Sequence, residues 1–299
     1  MSEDTDTPNA HQRVWFVTGS SRGLGRALIT AILDAGDLVA ATARNPEALA
    51  EELKGYGDRV LALPLDVTSA EASRVAIDAT LDRFGRLDVV VNNAGYANVS
   101  PVETSDDHDF RTQFDTNFWG VYNVSKAALP VLRQQGSGTV VQISSVGGRV
   151  GGSPGIASYQ AAKFAVDGFT RSLAAETAPF GLRFMVVEPS GFATDWAGSS
   201  MTVHATPDAY DSTVGAMNRR VRQGSAGSAG DPNRAAEIIV RTVRRGEIPS
   251  HLLLGVNAVD LALDYSRGQL AEAEAWEAVS RSADFAEPYP VELPPPSGQ

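Results

Sequence analysis

A tyrosine and a lysine stand four residues apart in Tyr159-Gln-Ala-Ala-Lys163, a spacing that puts two side chains on one helical face about one turn apart. A free phenol titrates near roughly 10 and is a poor acid-base group at neutrality. A neighbouring ammonium favours the phenolate and draws that value toward the range where proton transfer is useful. Taken alone, such a pair is a common feature of solvated helix faces. It gains weight from Ser144-Ser145, which closes an earlier apolar run, and from a second constellation near the start of the chain. There Thr18-Gly19-Ser20-Ser21-Arg22-Gly23-Leu24-Gly25 links an apolar run to a stretch of helical period. Glycines permit a tight turn and close backbone approach, and the helix N-terminus offers unpaired N–H groups to a pyrophosphate. At the end of the next apolar run, where a site reading NAD places an acid on the adenine ribose, stand Ala43 and Arg44. A guanidinium there pairs with the extra phosphate of NADP. Arg22 is the second candidate, and the two arginines point to NADP(H) over NAD(H).

Positioning these groups falls to alternating elements. Val14–Thr18, Leu38–Ala43, Val60–Pro64, Asp88–Asn92, Gly138–Ser144, Arg183–Glu188 and His251–Leu254 read as strands, apolar enough to be buried on both faces. The spacers have helical period, as in Leu24-Ala27-Leu28-Ala31-Ile32 and Val75-Ala79-Phe84. This alternation predicts an α/β fold, a doubly wound parallel seven-stranded sheet with helices on both faces. Residues 13–285 read as one domain between a flexible polar tail, 1–12, and a proline-rich tail, 286–299. The Gly/Ser/Ala stretch Gly224–Gly230 reads as a mobile loop within that domain.

Composition narrows the function. The 299 residues include no cysteine, which excludes disulfides, thiol catalysis and cysteine-ligated metals. His11, His108, His204 and His251 lack ligand spacing, so no metal is expected. A formal charge of -11 opposes nucleic-acid binding. The first residues are acidic where a secretion signal is basic and then apolar, and no run reaches the length of a membrane span. The expectation is a cytoplasmic protein.

Over residues 13–255 the sequence closely resembles the short-chain dehydrogenase/reductase family. The carrying blocks are Thr18…Gly25, Leu65-Asp66-Val67, Asn92-Asn93-Ala94-Gly95, Asn117, Ser145, Tyr159…Lys163 and Pro189-Ser190-Gly191…Thr194. The resemblance implies a Rossmann-type domain that moves hydride between NAD(P) and a carbonyl or alcohol carbon. It implies that Tyr159 donates the proton, that Ser145 binds the same substrate oxygen, that Lys163 binds the nicotinamide ribose and lowers the phenol, and that Asn117 holds a relay water. The glycine turn, with Gly19, Ser21, Arg22, Gly23, Leu24 and Gly25, would hold the pyrophosphate side. Asp66 and Val67 would contact adenine, and Asn93, Ala94 and Gly95 would wall the adenosine ribose. Pro189, Gly191 and Thr194 would meet the carboxamide and pyrophosphate. The sequence departs from the family in two places. The stretch from Ser145 to Tyr159 is one residue longer than the commonest form, which makes Ser144 a rival, and Ser190 replaces a glycine.

Tyr96, the loop Val146–Ile156, Phe192 and Trp196 are the candidate substrate contacts, the last two within a lid at about 192–230 that also holds Met201, Val203, His204, Tyr210 and Met217. Half of these side chains are as well explained by packing the lid itself. The glycines of Gly147–Gly155 leave room for a bulky ketone or mark a bend. Phe110, Phe114 and Phe118 form a stripe read as core, although helices flanking the sheet are also the usual subunit contacts in the family, whence a homodimer or homotetramer. Residues 257–285 read as an amphipathic helical extension carrying Val259, Leu263, Leu270 and Trp276, capping the pocket or joining a partner. The expected activity is NADPH-dependent reduction of an apolar ketone or aldehyde, a carbonyl reductase or ketoreductase similar to the hydroxysteroid- and retinol-dehydrogenase-like branch. The alternatives are an alcohol dehydrogenase working in the oxidative direction and a non-catalytic NADP sensor, whose signature would be a damaged Ser/Tyr/Lys set.

Overall fold

In the computed structural model, which describes residues 12–192, 201–222 and 230–294, the apolar runs become strands and the periodic spacers become helices. Strand β1 (Val14–Val17) is followed by helix α1 (Gly23–Asp34), β2 (Leu38–Ala43), α2 (Glu47–Leu53), β3 (Val60–Pro64), α3 (Ala70–Phe84) and β4 (Val89–Asn92). A short β5 (Ala97–Val99) precedes α4 (Asp107–Phe114), a π-helical turn (Asp115–Trp119), α5 (Gly120–Gln135) and β6 (Gly138–Ile143). Then come α6 (Gly147–Val150), α7 (Ala157–Thr177), β7 (Leu182–Pro189), β8 (Met201–Val203), α8 (Ala216–Arg222), α9 (Pro232–Arg245), β9 (His251–Leu254), α10 (Val256–Ala275) and α11 (Glu277–Arg281).

Seven strands form one parallel sheet in the order β3-β2-β1-β4-β6-β7-β9. Parallel strands need long crossovers, and helices covering both faces supply them. On one face Leu28 and Ile32 of α1 and Ile239 and Val243 of α9 pack on Val17, Val39, Val91 and Met185. On the other, Ile77 of α3, Leu132 of α5 and Leu173 of α7 pack on Phe16, Val90, Val140 and Phe184. The fold is Rossmann-like. The strand order reverses between β1 and β4, which opens a crevice beyond their carboxyl ends.

The opposite rim of the sheet is closed by charge. Asp37 is fully buried and accepts from the Arg13 main-chain N–H at 3.1 Å, the Trp15 indole at 2.9 Å and the Arg244 guanidinium. Arg13 in turn donates to the main-chain carbonyls of Val243 and Arg244, which end α9.

One local expectation is corrected and three features were not foreseen. In α3 the covered face is Ser73, Ala76, Ile77, Thr80 and Phe84, while Val75 is exposed. Helical period is as expected, with the buried phase set by Ile77 and Phe84. Phe110, Phe114 and Phe118 are half-buried rather than core. Phe118 stacks with Phe114, Trp119 and Phe169, and Trp119 stacks in turn with Tyr122, an aromatic patch at the surface. The extension is helical as expected, as α10 and α11, through Arg281, and Val259, Leu263, Leu270 and Trp276 all face outward. The small side chains of Ala258 and Ala262 are what α10 buries. Finally, β5 and β8 pair in parallel, Ala97 to Met201 and Val99 to Val203, as a separate two-stranded sheet that periodicity over three residues does not reveal. The Gly224–Gly230 stretch lies outside the described residues except for Gly230, which bridges to Phe192.

Candidate active site

The turn between β1 and α1 is shaped by main-chain demands. Gly19 adopts φ 67°, in the left-handed region where a side chain is strained, and a side chain on Gly25 would collide with the Gly19 carbonyl oxygen. The turn is pinned from β4. The Asn93 amide donates to the carbonyls of Thr18 and Gly19, both at 3.0 Å, and Thr18 Oγ1 accepts from the main-chain N–H groups of Asn93 and Ala94. No side chain caps α1, and no acid stands in its first turn. The unpaired N–H groups and the positive end of the helix dipole therefore face the crevice, a setting suited to an anion. Gly23 takes φ 55°, Ser21 is exposed and Leu24 is half-buried against the core. Arg22 and Arg44 are both exposed, at the start of α1 and the end of β2.

Asp66 folds back on its own turn, accepting from the Thr68 N–H and hydroxyl at 3.0 and 2.8 Å. Val67 is buried, and its carbonyl accepts from Asn123 at 3.0 Å. Gly95 must lack a side chain because one would strike Asn117 Oδ1.

Asn117 sits in the π-helical turn, fully buried. Its Oδ1 accepts from the Tyr96 N–H at 3.1 Å, and its Nδ2 donates to the carbonyls of Tyr96 and Gln113 at 2.8 and 2.9 Å. Tyr96 is half-buried, and its phenol is raised by burial and by Asp109.

Tyr159 and Lys163 project from the first turns of α7 and are both buried. Ser145 follows β6, and two ladder bonds bracket it. The Ser144 N–H donates to the Val187 carbonyl at 2.8 Å, and the Val146 N–H to the Pro189 carbonyl at 3.1 Å. The Ser145 hydroxyl draws the Tyr159 phenol down and accepts from the Gly147 N–H at 3.0 Å. The Ser144 hydroxyl turns the other way, toward the Lys163 carbonyl. Of the two serines, Ser145 is therefore the one that meets the tyrosine.

Burial pushes the Tyr159 phenol up to about 12, and the Ser145 hydrogen bond pulls it back only in part. Burial also draws the Lys163 ammonium down to about 8. Lys163 Nζ donates to the Ile143 carbonyl at 2.7 Å and lies 5.7 Å from the centre of the Tyr159 ring. The expected lowering of the phenol by the lysine thus does not appear in this arrangement. The ammonium is committed to a carbonyl, and desolvation of the phenolate dominates.

An apolar cluster closes over the tyrosine. Ala97, Val99, Ile156 and Val214 pack with Tyr159, flanked by Met201, Val203, Tyr210 and Met217. Ile156 and Val214 fall in segments the sequence offered as substrate contacts, whereas Val99 was missed, since a three-residue strand carries no periodic signal. Val146 is buried beside Ser145, whereas Phe192 packs against the core on the nucleotide side with its ring over Gly230. His204 docks β8, its N–H on the Val99 carbonyl at 3.0 Å and its ring 3.5 Å from Asp109. Pro189 ends β7, and Gly191 follows two residues on. Thr194 and Trp196 lie outside the described residues. Among the described residues no group of His, Asp and Glu gathers as a metal site, and no helix is long and apolar enough to cross a membrane.

Known proteins share this fold. A family profile described as short chain dehydrogenase matches residues 13–203. The chain is 46% identical over 269 residues to "Oxidoreductase BOA17" of Botryotinia fuckeliana (strain B05.10), covering 90% of this chain and 98% of that protein. It is similar to a solved short-chain dehydrogenase from Streptomyces avermitilis, at 38% identity and TM-score 0.84 over 91% of this chain and all of that one (100%). It is also similar to an alcohol dehydrogenase from the archaeon Thermococcus sibiricus solved with 5-hydroxy-NADP, at 26% identity and TM-score 0.66 over 81% of this chain and 96% of that one. The chain belongs to the short-chain dehydrogenase family, oxidoreductases that act on CH–OH and C=O groups with a nicotinamide cofactor.

Proposed function

We propose that this enzyme reduces an apolar ketone or aldehyde with NADPH, Tyr159 donating the proton to the carbonyl oxygen. The observation that carries the reading is Tyr159 buried under an apolar roof, with Ser145 drawing its phenol down and Lys163 beside its ring. A phenol held near 12 keeps its proton at neutral pH and is set to give it up as negative charge develops on a substrate oxygen. Ser145 fixes that oxygen within reach of the hydroxyl. The bound cofactor would supply hydride; the protein's own task is placement and proton handling.

Gly19, Gly23, Gly25 and the free end of α1 would take the pyrophosphate, and Arg22 and Arg44 the 2′-phosphate that sets NADPH above NADH. Ser21 and Leu24 line the same turn, Asp66 and Val67 the adenine, and Asn93, Ala94 and Gly95 the adenosine ribose. Lys163 would release Ile143 to reach the nicotinamide ribose, and Pro189, Gly191 and Thr194 would flank the carboxamide. Both Nδ2 hydrogens of Asn117 are already given to main-chain carbonyls, so a relay water beside Lys163 would be held by other atoms of that turn. Tyr96 and Val146 would border the substrate, with the segment 192–230 as lid, Trp196 included. Residues 13–285 would act as one domain in the cytoplasm. The exposed aromatic patch at Trp119 suits a second copy of the chain in a homodimer or homotetramer.

The test is the oxidation of NADPH, and separately of NADH, across aliphatic, aromatic and steroidal carbonyls, with Tyr159→Phe as control. The expected result is NADPH-preferring turnover that falls about 1,000-fold or more in the variant while NADPH binding is retained. Near-normal turnover by Tyr159→Phe overturns the mechanism.

A further inference from the structure

A buried ion pair joins two parts of the site that the sequence keeps 39 residues apart. Glu188, next to last in β7, has a side chain only 2% exposed, and Arg149 of α6 donates to it through Nε at 2.9 Å. A carboxylate so far from water costs several kcal/mol unless it is paired, and well-packed apolar residues of similar size would commonly serve stability as well or better. The pair is thus poorly explained as a source of stability alone.

Its placement is specific. Arg149 comes four residues after Ser145, and Glu188 immediately precedes Pro189. The ladder bonds that bracket Ser145 run to Val187 and Pro189, the neighbours of Glu188 on either side. On its opposite flank α6 is wedged against α7, since a side chain on Gly148 would come within 2.6 Å of Lys163 Cβ and 2.8 Å of Ser144 Oγ. The wedge stops α6 from moving toward the lysine. Arg149 reaches in the other direction, to the strand that leads into the cofactor segment.

We infer that Arg149 and Glu188 are positioning residues, a brace that registers the Ser145 turn against Pro189–Gly191 so that the serine hydroxyl and the cofactor wall hold one geometry. The inference rests on the roles proposed above for Ser145 and Tyr159.

The decisive variant replaces the pair together, Arg149→Met with Glu188→Leu, because apolar partners keep the packing and remove the orientation. The melting temperature and NADPH affinity of this double variant are expected to stay close to those of the unmodified enzyme. Its kcat is expected to fall about 10- to 100-fold, the scale that small misplacements of a reacting group produce. Arg149→Lys, which keeps the charge, should recover part of that loss. Hydrogen exchange of the amides at 144–150 should accelerate about tenfold, while those of β4 stay protected. A double variant with unchanged kcat and unchanged exchange overturns the inference. If the unmodified enzyme turns over no carbonyl, the proposed reaction has failed instead, and exchange at 144–150 decides the brace: acceleration supports it and no change overturns it.

Discussion

The two halves of the crevice are built by different means. On the nucleotide side, the turn Thr18–Gly25 is held by main-chain carbonyls and N–H groups, with Asn93, Thr18 and Ser20 as clamps. On the substrate side, Tyr159 is enclosed by aliphatic side chains from β5, β8, Ile156 and Val214. Main-chain geometry tolerates few residue types, so the first half is written in glycines. Apolar packing tolerates many, so the second can be rebuilt without disturbing the first.

Breaking the main-chain half should have the largest effect. Gly25→Val drives a side chain into the Gly19 carbonyl, and NADPH affinity measured by nicotinamide fluorescence should weaken by ~100-fold or more, about 3 kcal/mol. Modest weakening would show that the turn is not the phosphate cradle. Next, Arg44→Asp removes one guanidinium partner and adds a repelling charge. The ratio of kcat/KM for NADPH over NADH should fall by roughly 10- to 100-fold, the worth of one charge-assisted pair. An unchanged ratio removes Arg44 from the assignment.

On the apolar side, Val214→Ala should raise the KM of a bulky ketone about 3- to 10-fold with NADPH affinity unchanged, as expected for lost methyl contacts. Equal losses for ketone and cofactor would erase the distinction between the halves. The smallest effect is a pH dependence. Lys163 has a folded pKa near 8 against 10.5 when free. The folded state therefore binds fewer protons than the unfolded state between those values, so the penalty of burying Lys163 is full below pH 8 and fades as pH rises. Lys163→Met should be relatively most stable near pH 7, and its melting-temperature difference from the unmodified enzyme should shift against the variant between pH 8 and 10. A constant difference would mean that the buried ammonium is not penalised.

The same division explains what could be read in advance. Continuous apolar runs such as Val89-Val90-Val91 located the seven strands, because burial on both faces leaves no alternation to confuse them. The glycine turn and the Tyr159/Lys163 spacing were equally plain, since each reflects a local constraint. For α10, amphipathic period showed that the helix has an apolar side, not what covers it. β5 with β8, the roof over Tyr159 and the Arg149–Glu188 pair all join residues distant in sequence, and no spacing rule connects them.

The charged rim around Asp37 bears on the order of folding. Its partners Arg13 and Arg244 lie 231 residues apart, at the first strand and the last turn of α9. That junction closes only once nearly the whole chain has been threaded into place, after the slow parallel pairings of the sheet. Trp15 donates its indole proton into the same cluster and is fully buried, whereas Trp119 and Trp276 are exposed. The emission of one tryptophan should therefore report the final step of assembly, far from the residues that do the chemistry.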